Sequence, residues 1–265
     1  ADLAAVERCV ATRDDVAAVI LEPSGASYGA QPLPDSFLQQ IRALCTDRGL
    51  LLICDEVVTG FRVAPGGVQE RAGVQADLTC LAKILAGGLP GGAVAGPAHI
   101  LRRLAFGDRM WNEQHKIRHH GTFNANPLAA AAGVATLEIV RTNAPQAWAT
   151  RLAAQLRAGL NAELRARNLH GCAAYGDASI VHILLGSPGL FPPGELHGDV
   201  PLAELKAGVP AHLRTLFRLA MLNYGVDLMK GRSAFVSAAH TEEDIAATAA
   251  AFGAALDMIK VEREM

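Results

Sequence analysis

Four short apolar runs, separated by stretches of helical period, set the strongest limit on what this chain can fold into. Ala17–Leu21, Leu50–Cys54 and Leu78–Ala82 read as buried strands, and Gly92–Gly96 as a fourth. Between the first two, residues 35–48 place Phe37, Ile41, Leu44 and Cys45 on one helical face and stop at Gly49. A strand that is apolar along its whole length expects cover on both faces. Such strands alternating with helices make the mostly parallel sheet of an α/β fold, with helices on both sides. In sheets of that kind functional side chains gather at the carboxyl ends of the strands. Glu22, Asp55 and Lys83 each stand at such an end.

The second half changes pattern. Asn126-Pro127 is a helix start, with Asn as cap and Pro in the first turn, ahead of an alanine-rich helix over 128–140. A second helix over 146–167 carries Trp148, Leu152, Leu156, Leu160 and Leu164 along one stripe. Thr142–Pro145 between them is a natural boundary. A short strand (180–185), a Pro/Gly-rich loop (187–201), a helix (210–224) and two strand-like runs (226–229 and 234–237) follow. The last helix opens at Thr241–Asp244, a capping box with Asp in the third position. The expected organisation is therefore residues 1–144 as part of a large α/β domain and 145–265 as a smaller α+β domain.

With charged residues at 19% and a net charge of -2, nothing favours nucleic acid or an anionic membrane as partner. No apolar run approaches the roughly 20 residues that cross a bilayer. The five cysteines are odd in number and unpaired in spacing, which fits free thiols in a reducing cytoplasm. The chain opens on Ala1 without an initiator Met, which suggests part of a longer polypeptide.

Of five lysines, Lys116, Lys206, Lys230 and Lys260 sit in polar or helix-surface settings, and Lys83 alone ends an apolar run. A charged amine there costs free energy unless it is paired or neutralised. Use as a nucleophile that forms a Schiff base is one reason to keep it. Asp55, one strand earlier, would put a carboxylate on the same rim. That pair suits pyridoxal 5′-phosphate, whose ring nitrogen needs a carboxylate to stay protonated. A buried ion pair is the other reading, but such pairs are weak stabilisers, and spacing alone puts the cofactor only slightly ahead. His115, His119 and His120 have helix-compatible spacing for a metal, but no Cys or carboxylate set accompanies them, so no metal is expected and a loop rimming the site is the better reading. The glycine run 87–92 lacks the strand–GxGxxG–helix order of a dinucleotide site.

The stretches Asp55–Arg62, Asp77–Thr79 and Lys83 with its glycine run resemble the class III, fold-type I aminotransferases, in the branch that includes glutamate-1-semialdehyde aminomutase. Gly121–Pro127 and Ser237–Ile245 continue the likeness in the same order. The resemblance implies that Lys83 bears the Schiff base and moves the substrate Cα proton, that Asp55 pairs with the pyridinium nitrogen, and that Val57 packs on one ring face. It implies that Thr122 binds the cofactor phosphate, commonly from the partner subunit of a homodimer, and that Glu22 opens the Glu-Pro turn beside the cofactor. Ser27 stands near where the aminomutases have an Asn that reaches the cofactor hydroxyl. Arg232 replaces a glutamate of the aminomutases and resembles the carboxylate-binding arginine of D-phenylglycine and β-phenylalanine aminotransferases. The activity implied is ping-pong transfer of an amino group from an aromatic β- or D-amino acid to a 2-oxo acid. An aminomutase or racemase on the same scaffold, and a non-catalytic homologue, are the alternatives. The family's first strands, its glycine-rich phosphate turn, its ring-stacking aromatic and an N-terminal substrate arginine have no counterpart in this sequence. The expectation is a C-terminal part with an unpaired sheet edge and an incomplete site, inactive alone.

Overall fold

The computed structural model describes residues 1–263 except 190, 197 and 199, and side chains as far as 259. Three positions of the expected 187–201 loop, and the side chain of Lys260, thus lie outside the described residues. The chain forms two compact units: Ala1–Gly25 with Leu33–Asn143, and Ala26–Pro32 with Ala144–Met265.

In the first unit β1 (Ala18–Leu21), β2 (Leu51–Asp55) and β3 (Leu78–Ala82) run parallel, and β4 (Gly92–Ala95) pairs antiparallel with β3. The reversal at β4 has a simple cause. Its connection from β3 is only the 3₁₀ turn Lys83–Ala86 and a short glycine-rich loop, and a parallel return needs a crossover of a dozen or more residues. Helix Asp35–Arg48 ends where expected, at Gly49 in the left-handed region (φ 66°). Phe37, Leu38, Ile41 and Cys45 from that helix pack with Leu52 and Cys54 of β2 and Val68 of helix Gly67–Ala72. Double cover was expected for every strand, and the edge strands depart from it. Ile20 on β1 is 62% exposed, and β4 is exposed along its length.

Asp77 locks β2 to the start of β3. Its N–H donates to the Leu52 carbonyl at 2.9 Å, and its carboxylate accepts from the Leu52 N–H and from Arg42, both at 2.7 Å. Burial would raise this carboxyl, but the two hydrogen bonds outweigh it and hold it below its ordinary value.

In the second unit β5 (Ala173–Tyr175), β6 (Ile180–Leu184) and β7 (Ser233–Phe235) form an antiparallel sheet. Helices Ala144–Ala166, Ala211–Asn223 and Glu242–Arg263 accompany it in an α+β arrangement. Leu152, Leu156, Leu160 and Leu164 are buried as their spacing predicts. Trp148 is not: it stays at the rim, its indole N–H donating to the His240 carbonyl at 3.2 Å. The run 226–229 is no strand, and only Met229 bridges to Ser233. Three-residue β5, with two alanines, escaped the sequence reading. The capping box of the last helix forms as expected, with Thr241 N–H donating to the Asp244 carboxylate at 2.8 Å and Asp244 N–H to Thr241 Oγ1 at 3.2 Å.

Candidate active site

Strand register assembles three of the expected side chains on one edge. Leu21 lies opposite Cys54, so Glu22 and Asp55 follow at the same level, and Asp55 lies opposite Cys80. Lys83 comes three residues after Cys80, just past the end of β3.

Lys83 is exposed, which corrects the reasoning that singled it out. The strand ends at Ala82, and the chain turns into a 3₁₀ turn, Lys83–Ala86, whose first residue has φ 52°. That turn carries the lysine out of the apolar line of the strand. Among the described residues its amine makes no hydrogen bond or ion pair, Asp55 included, so the buried ion-pair alternative does not hold. Asp55 is half-buried and accepts one hydrogen bond, from the Val57 N–H at 3.0 Å. Val57 is likewise half-buried. Burial pushes the Cys80 thiol up, and the charge of Asp55 adds to the shift. Burial, with the charge of Glu56, lifts Cys54 to about 12. Neither thiol competes with the lysine as nucleophile at neutral pH.

Glu56 is a working residue to which the sequence reading gave no role. It is 1% exposed, and its carboxylate accepts from Thr59 Oγ1 and from the N–H groups of Val68 (3.1 Å) and Gln69 (3.0 Å). It therefore caps helix Gly67–Ala72 and ties down the loop that leaves Asp55. Gly67 has φ 74°, and a Cβ there would sit 2.5 Å from a Glu56 oxygen. The available signal was a second acid directly after the strand-end acid, followed by Gly66-Gly67 ahead of a helix.

The Lys83 turn rests on helix Pro127–Val140, which Asn126 caps through the N–H groups of Leu128 and Ala129. Contact is backbone to backbone: a Cβ at Gly133 would lie 2.7 Å from the Leu85 carbonyl, and one at Gly87 would lie 2.7 Å from the Ala132 carbonyl. Gly133→Val is expected to displace the turn and lower stability by roughly 1–3 kcal/mol, read from denaturant midpoints.

Thr122 is exposed in the turn that joins Gly121 O to Asn124 N–H at 3.1 Å, and its hydroxyl makes no hydrogen bond among the described residues. Beside it lies a cavity of about 550 Å³ lined by Leu85, Pro90, His119, Phe123, Asn126 and Val134 among others. Of the three histidines only His119 reaches that wall, and no cluster of three metal-ligating side chains occurs among the described residues. Glu22 is half-buried, its carbonyl accepting from Gly25 N–H at 2.9 Å. Ser27 and Arg232 belong to the second unit. Ser27 is left-handed (φ 56°), as is Tyr28 (φ 51°). Arg232 is half-buried and donates to the Leu205 carbonyl at 3.4 Å.

A mostly parallel sheet with Asp55 and Lys83 at one carboxyl edge matches the fold of the fold-type I transaminases. The sequence profile described as Aminotransferase class-III matches residues 2–172, and the chain belongs to that family, whose cofactor is pyridoxal 5′-phosphate. It is 36% identical to glutamate-1-semialdehyde 2,1-aminomutase of Prosthecochloris aestuarii over 89% of this chain and 51% of that protein. An omega-transaminase from Sphaerobacter thermophilus superposes with a TM-score of 0.78 at 30% identity, over 97% of this chain and 55% of the other. A β-phenylalanine aminotransferase from Variovorax paradoxus gives 0.73 at 31%, over 95% and 54%. The chain spans about half the length of the curated relatives it matches.

Proposed function

We propose that this protein is a pyridoxal-phosphate-dependent aminotransferase, passing an amino group from an aromatic β- or D-amino acid to a 2-oxo acid in a ping-pong cycle. The observation that carries the reading is the Lys83 amine, without a partner among the described residues, just past the end of the strand next to that of Asp55. The residues fit the cofactor: an amine without a partner and a carboxylate with a single hydrogen bond share one edge. When bound, the cofactor supplies an electron sink for the electrons left on the substrate carbon.

Lys83 holds the cofactor between turnovers and carries the proton on and off the substrate carbon. Asp55 provides the counter-charge that keeps the ring nitrogen protonated, and its Val57 N–H bond fixes its carboxylate. Val57, Glu22 and Ser27 would help to hold the cofactor ring, and Thr122 would bind its phosphate, across the dimer. Borohydride reduction followed by peptide mapping tests the assignment. Label on a residue other than Lys83 rejects it.

Arg232 receives the substrate carboxylate, for which a planar two-pronged donor is suited. Arg232→Ala is expected to raise KM for carboxylate substrates roughly 10- to 100-fold with less change in kcat. Unchanged kinetics would remove Arg232 from the site. The name of the Prosthecochloris relative favours aminomutase as a second reading. Stoichiometric appearance of a second amino acid, formed from the 2-oxo acid, separates the two.

Self-association as a homodimer is supported by the apolar side chains that the first unit leaves open. Phe106 is 84% exposed, Phe123 and Leu128 68% each, and Val134 65%. Sedimentation is expected to give a dimer at micromolar concentration. Buried free thiols at Cys45, Cys54 and Cys172 suit a reducing compartment, and we assign the cytoplasm.

A further inference from the structure

Segment 26–32 clusters with the second unit, and one buried imidazole holds it there. His182, on β6, is 2% exposed, and Ser233, its partner in the β6–β7 register, is fully buried. The ring makes two hydrogen bonds, Nδ1 with Ser233 Oγ at 3.0 Å and Nε2 with the Tyr28 carbonyl at 3.1 Å. A carbonyl only accepts, so Nε2 carries the proton. In the neutral ring Nδ1 must then accept from the serine hydroxyl. Burial first, then the nearby charge of Arg232, keeps the ring neutral against the opposing pull of the Tyr28 carbonyl.

Ser27 and Tyr28 are consecutive left-handed residues, a conformation that costs free energy for each L-residue and persists only when the surroundings hold it. The holding contacts are on one side of the sheet. The Tyr28 ring stacks on His182 (5.5 Å between centroids, 23°) and leans on Phe235 (5.4 Å), and Tyr175 Oη donates to the Ala30 carbonyl at 2.8 Å. Ser233, at the other end of the imidazole, directly follows Arg232, whose own carbonyl accepts from Ile183 N–H at 2.8 Å.

We propose that His182 is a positioning residue for the substrate end of the site, tying the Ser27–Tyr28 turn and the Arg232 strand into one rigid piece. The inference rests on the reading of Arg232 as the carboxylate anchor. His182 touches neither substrate nor cofactor; it sets where the guanidinium and the turn stand relative to each other.

The test uses the holoenzyme and 3-phenylpropionate, an acid without an amine, with calorimetry for Kd and steady-state kinetics beside it. His182→Leu removes both bonds and is expected to raise Kd and KM about 10-fold, with kcat changed less than about threefold. His182→Gln keeps a donor and an acceptor and should recover most of the loss. Should the leucine variant fail to fold, Ser233→Ala removes one bond and is expected to raise Kd about threefold. A Kd unchanged in both His182→Leu and Ser233→Ala, with Arg232→Ala still weakening the probe, overturns the role of His182 alone. A Kd unchanged in Arg232→Ala overturns the anchor reading and this inference with it. A lower melting temperature in His182→Leu with Kd intact assigns the imidazole to stability only and overturns the proposal.

Discussion

In an enzyme of the relatives' full length, Lys83→Ala is expected to cut kcat about 10³-fold while leaving the fold in place. The two halves of that expectation come from different observations. The loss follows from removing the amine that holds the cofactor and moves the substrate proton. The intact fold follows from the setting: Lys83 is exposed and has no hydrogen bond or ion pair among the described residues. Changes at such positions usually stay within about 0.5 kcal/mol. Glycine makes the contrast sharper. Lys83 holds φ 52°, a conformation that costs an L-residue roughly 1–2 kcal/mol and glycine nothing. The freer unfolded chain takes back about 0.5–1 kcal/mol of that. Lys83→Gly should therefore be as stable as the parent or more so, and just as inactive as the alanine variant. Denaturant midpoints and kcat measured on the same preparations check both halves. Residual kcat near the parent value in either variant removes Lys83 from the chemistry. A large loss of stability would mean that the turn depends on a contact of the lysine stem.

The strands were legible because their apolar runs are continuous, and the edge of the sheet was legible because the first three runs are each followed by a charged residue, Glu22, Asp55 and Lys83. The exposure of Lys83 was not legible: a run of apolar letters does not show that the backbone turns left-handed at the residue that follows it. What reveals the lysine is where it stands in the register, beyond the Asp55–Cys80 pair. Glu56 was missed because its partners, Val68 and Gln69, come after an intervening loop with no periodic signal. The clasp on segment 26–32 was further out of reach. Its hydrogen bonds run from Tyr28 to His182 and from Ala30 to Tyr175, and one-dimensional patterns carry nothing about contacts that distant. Short apolar stretches fail in both directions: 226–229 has strand composition but follows a helix and turns away, whereas 173–175 has weak composition and is drawn into the sheet by β6.

The same imidazole makes acid a selective probe of the second unit. Burial holds His182 at about 4, against an ordinary value of 6.5. Between those values the unfolded chain binds a proton on this ring and the folded chain does not, so each proton favours unfolding. Stability is full above 6.5, falls as the pH drops toward 4, and stops falling from this source once the folded ring is protonated as well. The shift corresponds to about 3 kcal/mol over that window. Carboxylates held low, Asp77 among them, act mainly below it, because their loss begins at the ordinary carboxylate value and runs downward. His182→Gln separates the contributions. At pH 7 it should be the less stable protein, having exchanged a stacked ring between two tyrosines for a flexible amide. It has no proton to take up, so its stability should fall by about 3 kcal/mol less than the parent's between pH 7 and pH 4. The two curves are expected to converge in acid, measured by urea unfolding in a common buffer series. Parallel curves would mean that the folded ring takes up its proton at the ordinary value, and that burial does not hold it neutral.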